Sequence, residues 1–300
     1  MDLHGISLVW RQYSEGVLCA IIGQPVSKLN RAIATPKNPN RDGLAAHEGN
    51  PDFVLSLARG LAVIEAFQNR KAGMTVSEIA AHTGLSRAAV RRLLVTLELL
   101  GYAQHTGSIF RLRPSILRLG FAFLSSDSLP ALAQPLLESV TETLHESCSL
   151  GILDNDQVVY LARSAGKRVM SVNLSIGTRV PAYCTSLGRV LLSGLAKEGL
   201  SAYFDSVHLD KLTPKTVVDK TALYRIIDKV RSDGYALVDE ELEIGLRSIA
   251  VPVMTRGGRI IAAMNSGVHA SRVSISDLLE RFLPLLTENA SILAHLLGQH

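Results

Sequence analysis

The chain is 300 residues long, with 47% hydrophobic and 19% charged residues, a net charge of +4 and three cysteines, Cys19, Cys148 and Cys184. That length suits about two domains, and the composition is that of a folded chain rather than a disordered one. No apolar run approaches the roughly 18 residues that cross a bilayer, no secretory leader is recognisable, and cysteines without CxxC spacing exclude a disulfide framework or zinc ribbon and fit a reducing cytoplasm.

Residues 1–52 have balanced charge and, from Gln24 to Asn50, are rich in Asn, Pro, Gly and Ala, which reads as a flexible arm. The excess positive charge lies next to it: residues 53–125 are net +6 and residues 126–300 net −2. A compact basic unit joined to a near-neutral one points to a polyanion-binding module joined to something else.

From Phe53 to Phe67 an apolar stripe of Leu55, Leu57, Leu61, Ile64, Ala66 and Phe67 predicts a helix. Thr75-Val76-Ser77-Glu78 is a capping box opening a short helix to His82. Gly84 supplies the turn, Ser86 the next cap, and a second helix runs from Arg87 to Leu100 with Val90, Leu93, Leu94 and Leu97 inward. Tyr102–His105 and Ile109–Leu112 flank a Gly turn and form a hairpin. Pro114 opens a connector helix, Ser115 to Ser125.

Beyond Asp127, a helix is marked by Leu129, Leu132, Leu136, Leu137, Val140 and Leu144. Strands are expected at Cys148–Leu153, Gln157–Arg163 and Arg168–Leu174. Helices follow from near Thr185, over Lys197–Phe204, and after a cap at Thr221. Further strands are expected at Tyr235–Val238, Arg247–Met254 and Arg259–Ser266, with a last helix from about Ser276 to Leu297. This order predicts an α+β domain in which helices lie against an antiparallel sheet.

Two helices joined by a Gly turn, the second opening Ser-Arg-x-x-x-Arg-Arg, form a helix-turn-helix, and the hairpin adds a wing. The expected DNA-binding residues are Thr75, Ser86, Arg87, Ala88, Arg91, Arg92 and Arg111. Ser86 and Arg87 lie at a helix N-terminus, which favours phosphate. Arg87 and Arg91 lie one turn apart, and Ala88 leaves room for a thymine methyl.

The stretch Gly177 to Leu192 offers a hydroxyl-rich helix entry suited to a carboxylate, though Thr185 or Ser186 could equally be a plain cap. Cys184 at this entry is either a nucleophile or an inert buried thiol. Asp239-Glu240-Glu241 could be acid/base groups or a solvated strand end. Arg247 could fork a carboxylate ligand, or pair with Asp239 or Glu241. No metal-ligand set, P-loop or dinucleotide motif is present, so no metal, cofactor or catalytic residue is expected.

Residues 53–300 resemble the IclR family of bacterial transcriptional regulators. The resemblance rests on Thr75–Ala80, Gly84–Arg87, and Asp239–Glu241 followed by Gly245–Val253. Met170–Gly177 leading into Pro181–Ser186 is similar to the Pca/Pob branch, which controls aromatic-acid catabolism through the β-ketoadipate pathway. The arm (1–52) lies outside the resemblance, which implies a winged helix-turn-helix (53–114), a linker helix (115–127) and a GAF-like effector-binding domain with an antiparallel sheet (128–300). The resemblance also implies a cytoplasmic homodimer or tetramer that binds an operator in double-stranded DNA. With strand alternation, it suggests Met170, Tyr183, Cys184, Thr185, Ser186, Arg247, Ser248 and Asn265 around a small organic acid: protocatechuate, 4-hydroxybenzoate or β-ketoadipate in type. Two alternatives stay open at this point: an enzyme for an aromatic acid fused to a DNA-binding unit, and an architectural DNA-binding protein without effector.

Overall fold

The computed structural model describes residues 50–298 apart from 69, 71, 127 and 167–173. Residues 1–49 of the expected arm, Met170, and nearly all of the strand expected at 168–174 lie outside the described residues.

Helix α1 (Leu55–Glu65) is followed by strand β1 (Met74–Thr75) and helices α2 (Val76–Thr83) and α3 (Arg87–Leu99). The caps are local. The Glu78 amide donates to Thr75 Oγ1 at 3.3 Å while the Thr75 amide donates to Glu78 Oε2 at 2.8 Å. Gly84 turns the chain at φ 72°, a region an L-residue enters at a cost. Ser86 Oγ then accepts from the Ala89 amide at 3.2 Å. Strands β2 (Ala103–Thr106) and β3 (Ile109–Leu112) form the wing, and β1 pairs with β3 to give the order β1-β3-β2. One core gathers Val63, Phe67, Ile79, Val90, Leu94 and Phe110. The α1 stripe needs correction. Ala62, Val63, Ala66 and Phe67 turn inward, whereas Leu55, Leu57 and Leu61 are exposed. Periodicity finds an apolar face but not what covers it.

After a 3-10 turn (Pro114–Ile116) and helix α4 (Leu117–Ser126), helix α5 (Leu129–Leu144) leads into strands β4 (Ser147–Asp154), β5 (Gln157–Ser164) and β6 (Arg179–Pro181). Helices α6 (Ser186–Ser193), α7 (Lys197–Ser206) and α8 (Lys220–Asp233) follow, then strands β7 (Ala236–Asp239), β8 (Leu246–Met254) and β9 (Ile260–His269). Helix α9 (Ile275–Asp277) passes through a π-helical turn (Leu278–Phe282) into α10 (Leu283–Leu297). Pro284 lacks the N–H that would bond the Glu280 carbonyl, which accounts for the widened turn beside it. The sheet is antiparallel throughout, in the order β6-β5-β4-β9-β8-β7.

Strand alternation divides this sheet into two faces. Cys148, Leu150, Ile249, Met264 and Val268 pack against α5 and α10. Val158, Tyr160, Ala250 and Ala263 pack against α6, α7 and α8. Two readings change. The cap of α8 is Asp219, which accepts from the Ala222 amide at 2.8 Å, so Thr221 lies within the helix. Strand β6, paired with Gln157–Val159, occupies part of the stretch read as a helix entry.

Candidate functional site

Two surfaces carry the expected chemistry. On the first, Arg87, Ala88, Arg91 and Arg92 lie on the exposed face of α3, and Arg111 is exposed on the wing. None of these arginines forms a salt bridge among the described residues, so their charge is available to a polyanion. Thr75 and Ser86 serve differently. Their hydroxyls cap α2 and α3. Glu98 at the end of α3 holds the wing through His105 Nδ1 at 2.7 Å.

The second is a cavity between the α6 N-terminus and the sheet face that looks toward it. Its walls include Ser147, Ser149, Tyr160, Arg163, Leu174, Cys184, Thr185, Ser186, Val238, Leu242, Leu246, Ser248, Asn265 and Gly267. The polar floor follows from pairing register. Ser149 on β4 lies opposite Arg163 on β5 and Asn265 on β9, and Gly267 lies between Ser147 and Ser248. Four strands thus place hydroxyl, amide and guanidinium groups on one face.

Ser186 is the first residue of α6. Its hydroxyl is buried, the residue being 1% exposed, and has no hydrogen-bond partner among the described residues. A buried donor left unsatisfied costs about 1–3 kcal/mol, and here it faces a cavity beside a helix N-terminus. Thr185 is already committed: Oγ1 accepts from the Gly188 amide at 3.2 Å and donates to the Pro181 carbonyl at 2.9 Å.

Arg163 is the residue the sequence reading missed. The other arginines of the sheet unit that meet carboxylates are Arg179 with Asp154, Arg189 with Glu241, Arg231 with Asp228, Arg247 with Asp239 and Arg272 with Glu146. Arg163 has no carboxylate in reach among the described residues. Among the described residues it donates to Ser147 Oγ alone, at 3.3 Å. Burial lowers its pKa from the ordinary arginine value, because desolvation disfavours the charged form. The signal in the sequence was an arginine near the end of the apolar strand QVVYLARS with no nearby acid.

Of the residues expected around the ligand, Cys184, Thr185, Ser186, Ser248 and Asn265 line the cavity. Tyr183 does not. Its ring is buried in the core it shares with α6, α7 and α8, and its hydroxyl donates to the Asp210 carbonyl at 2.6 Å. Cys184 is fully buried and its thiol is pushed up to about 12 by that burial, so it is no thiolate at neutral pH.

Arg247 also leaves the pocket. Nε donates to Asp239 Oδ1 at 2.6 Å, and Nη1 donates to the carbonyls of Val273 at 2.7 Å and Ala270 at 3.3 Å. Arg247 beside Asp239, and Lys215 beside Glu240, hold both carboxyls below the usual carboxylate range. Groups lowered in this way contribute stability above their unfolded pKa, near 4, and lose it as pH falls through the lower folded value. Arg247→Met is therefore expected to lower the melting temperature at pH 7 and to flatten its fall between pH 5 and 3, with effector affinity nearly kept. An unchanged acid profile with weakened effector binding would return Arg247 to the pocket.

Comparison with known proteins follows the same division of the chain. Residues 56–107 match the sequence family described as the IclR helix-turn-helix domain, and residues 121–295 match the bacterial transcriptional regulator IclR C-terminal family. The Pca regulon regulatory protein of Pseudomonas putida is 44% identical over 275 residues, covering 91% of this chain and 94% of that protein. The crystal structure of a putative transcriptional regulator from Rhodococcus sp. RHA1 is 44% identical, with a TM-score of 0.73 over 81% of this chain and 98% of its own. A structure of the PobR inducer-binding domain from Acinetobacter, a double mutant in complex with 3-hydroxybenzoic acid, is 36% identical, with a TM-score of 0.53 over 55% of this chain and 97% of its own.

Proposed function

Because the chain belongs to the IclR family of bacterial transcriptional regulators, we propose that this DNA-binding regulator responds to a small organic acid held between α6 and the sheet. The acid is a hydroxylated benzoate or a dicarboxylate of aromatic catabolism. The observation that carries this reading is Arg163, a half-buried cation on the cavity wall with no carboxylate in reach among the described residues. A carboxylate supplies the missing charge in a charge-assisted pair, and the Ser186 hydroxyl, unpartnered among the described residues, and the α6 N-terminus receive its other polar atoms. The relatives are regulators rather than enzymes, and the raised Cys184 thiol and ion-paired Asp239 offer no poised nucleophile or base. A thermal-shift series with protocatechuate, 4-hydroxybenzoate and β-ketoadipate, with their amides as uncharged controls, tests the reading. At least one acid is expected to raise the melting temperature while its amide does not; no shift with any acid sinks it.

We divide the labour of the chain at the linker helix, 115–127, with the operator unit at 53–114 and the effector unit at 128–300. Leu57 and Leu61 on α1, 62% and 47% exposed, and Leu117 and Phe121 on α4, 71% and 67% exposed, are too apolar to face water as a set. They support a homodimer, alone or paired into a tetramer. Such a dimer presents two α3 helices to successive major grooves about 34–36 Å apart. Effector then acts by binding two dimer arrangements unequally.

Arginine substitutions separate readout from attraction. Arg87→Ala combined with Arg91→Ala is expected to cost about 100-fold in discrimination between an operator obtained by in vitro selection and random duplex, on the scale of roughly 1–3 kcal/mol per base contact. Arg92→Ala should weaken both duplexes alike and reduce the salt slope by about one. Retained discrimination in the double variant, or one chain bound per operator, would contradict this assignment.

A further inference from the structure

The three consecutive acids Asp239, Glu240 and Glu241 are not equivalent. Asp239 and Glu240 meet Lys215 at the surface, whereas Glu241 turns inward and is 7% exposed. Its carboxylate receives both arms of Arg189, Nη1 to Oε1 at 2.7 Å and Nη2 to Oε2 at 2.7 Å. Oε2 also accepts from the Val217 amide at 3.0 Å. Arg189 is 3% exposed, and its remaining Nε–H donates to the Tyr183 carbonyl at 2.9 Å. Each guanidinium nitrogen and each carboxylate oxygen of the pair thus meets backbone or the other member.

Neither residue lines the cavity, but each stands directly behind a wall. Tyr183 immediately precedes the wall residues Cys184, Thr185 and Ser186, and Glu241 immediately precedes the wall residue Leu242. The loop at residues 207–219 closes the back of the joint: Thr213 Oγ1 donates to the Glu240 carbonyl at 2.7 Å and Thr216 Oγ1 to the Glu241 carbonyl at 2.6 Å. Desolvating two charges is expensive, and an apolar pair of similar volume often serves stability as well or better. What an apolar pair lacks is direction. A forked guanidinium fixes distance and angle between the two elements it joins.

We propose that Arg189 and Glu241 are the positioning residues of the effector pocket, setting the separation between the start of α6 and the 238–246 wall. The effect on ligand rests on the effector reading above; the effect on the wall itself does not. The pair acts through the Tyr183 carbonyl, which places the Ser186 hydroxyl, and through the Glu241 backbone, which places Leu242.

Cys184 reports on this joint, because it is fully buried at the α6 start. Cys148 is buried on the opposite sheet face and serves as the internal control. The experiment uses the full-length chain in a Cys19→Ser background and follows thiol labelling by mass spectrometry under native conditions, with benzoate and adipate as protecting probes. Glu241→Gln breaks the pair. Arg189→Met with Glu241→Leu replaces it by apolar volume and keeps the fold testable. Arg189→Lys keeps the charge without the fork.

In the apolar double variant, Cys184 labelling is expected to rise at least tenfold with Cys148 unchanged, protection by the acids is expected to be lost, and Arg189→Lys should restore little of it. Wild-type labelling and protection in a folded double variant would overturn the proposal. So would an equal rise at Cys148, which would make the pair a support of the whole sheet unit. If neither acid protects wild-type Cys184, the effector reading fails for these probes, and the labelling ratio between variants still decides the positioning role.

Discussion

Replacing Arg163 by Gln is expected to abolish the effector response while leaving the apo protein at least as stable as before. The two halves of this result have one cause. Arg163 is a half-buried charge whose one hydrogen bond among the described residues is at 3.3 Å to Ser147 Oγ, and burial already disfavours its charged form. Removing an uncompensated charge relieves desolvation, so the melting temperature should hold or rise. In the bound state the same guanidinium faces a carboxylate. Truncating one partner of a buried, hydrogen-bonded charge pair costs about 2–4 kcal/mol, equivalent to roughly 30- to 1000-fold in affinity. Calorimetric titration with the acid found in the thermal-shift series measures the loss. A drop of less than about threefold would place the carboxylate elsewhere on the floor.

Gly188→Ala is expected to unfold or distort the sheet unit, although glycine-to-alanine in a helix interior normally stabilises by roughly 1 kcal/mol. Gly188 is the third residue of α6, where the helix lies directly on the backbone of Ala182. A methyl built there falls 2.5 Å from the Ala182 carbonyl carbon and closer still to its oxygen and Cα. All three atoms are main chain, so no rotamer relieves the overlap, and the helix must move. Overpacking of this kind costs about 3 kcal/mol or more, which outweighs the propensity gain. The core around Val63, Ile79 and Leu94 shares no residue with the two cores of the sheet unit. Calorimetry should therefore show one transition shifted down by many degrees and the other near its place. Effector response should be lost because Cys184, Thr185 and Ser186 move with the helix start. A variant with wild-type melting and response would remove close α6 packing as the reason for glycine here.

Several features of this protein were legible because their physics is local. The Thr75–Glu78 capping box, the Gly84 turn, the Ser86 cap and the inward stripe of Val90, Leu94 and Leu97 each depend on residues within one or two helical turns, so spacing alone identifies the basic helix-turn-helix. The hydroxyl-rich entry at Thr185-Ser186 is local in the same sense. Even here locality has an edge. Asp219 and Thr221 are both competent caps two residues apart, and the choice of Asp219 falls to the place where the loop at 207–219, tied to Glu240 and Glu241, releases the chain.

The remainder depended on which strands meet. Ser149, Arg163 and Asn265 share a floor only because β4 pairs with both β5 and β9, and one residue of slip would turn them toward the opposite core. Tyr183 sits near the pocket in sequence yet donates to the Asp210 carbonyl, 27 residues away, whereas the sequence already offered Arg247 its near neighbour Asp239 and the structure chose that partner over the pocket. Arg189 and Glu241 lie 52 residues apart, and no spacing rule links them. The exposed leucines of α1 show the same boundary: amphipathicity follows from the order of residues, but whether an apolar face meets the chain's own core or another surface is decided by tertiary packing. The sequence by itself determined the helices, their caps and the basic face. Only the folded sheet decided that an arginine without an acid would stand in a hydroxyl-lined cavity, because that charge is isolated by distance in space and not by position along the chain.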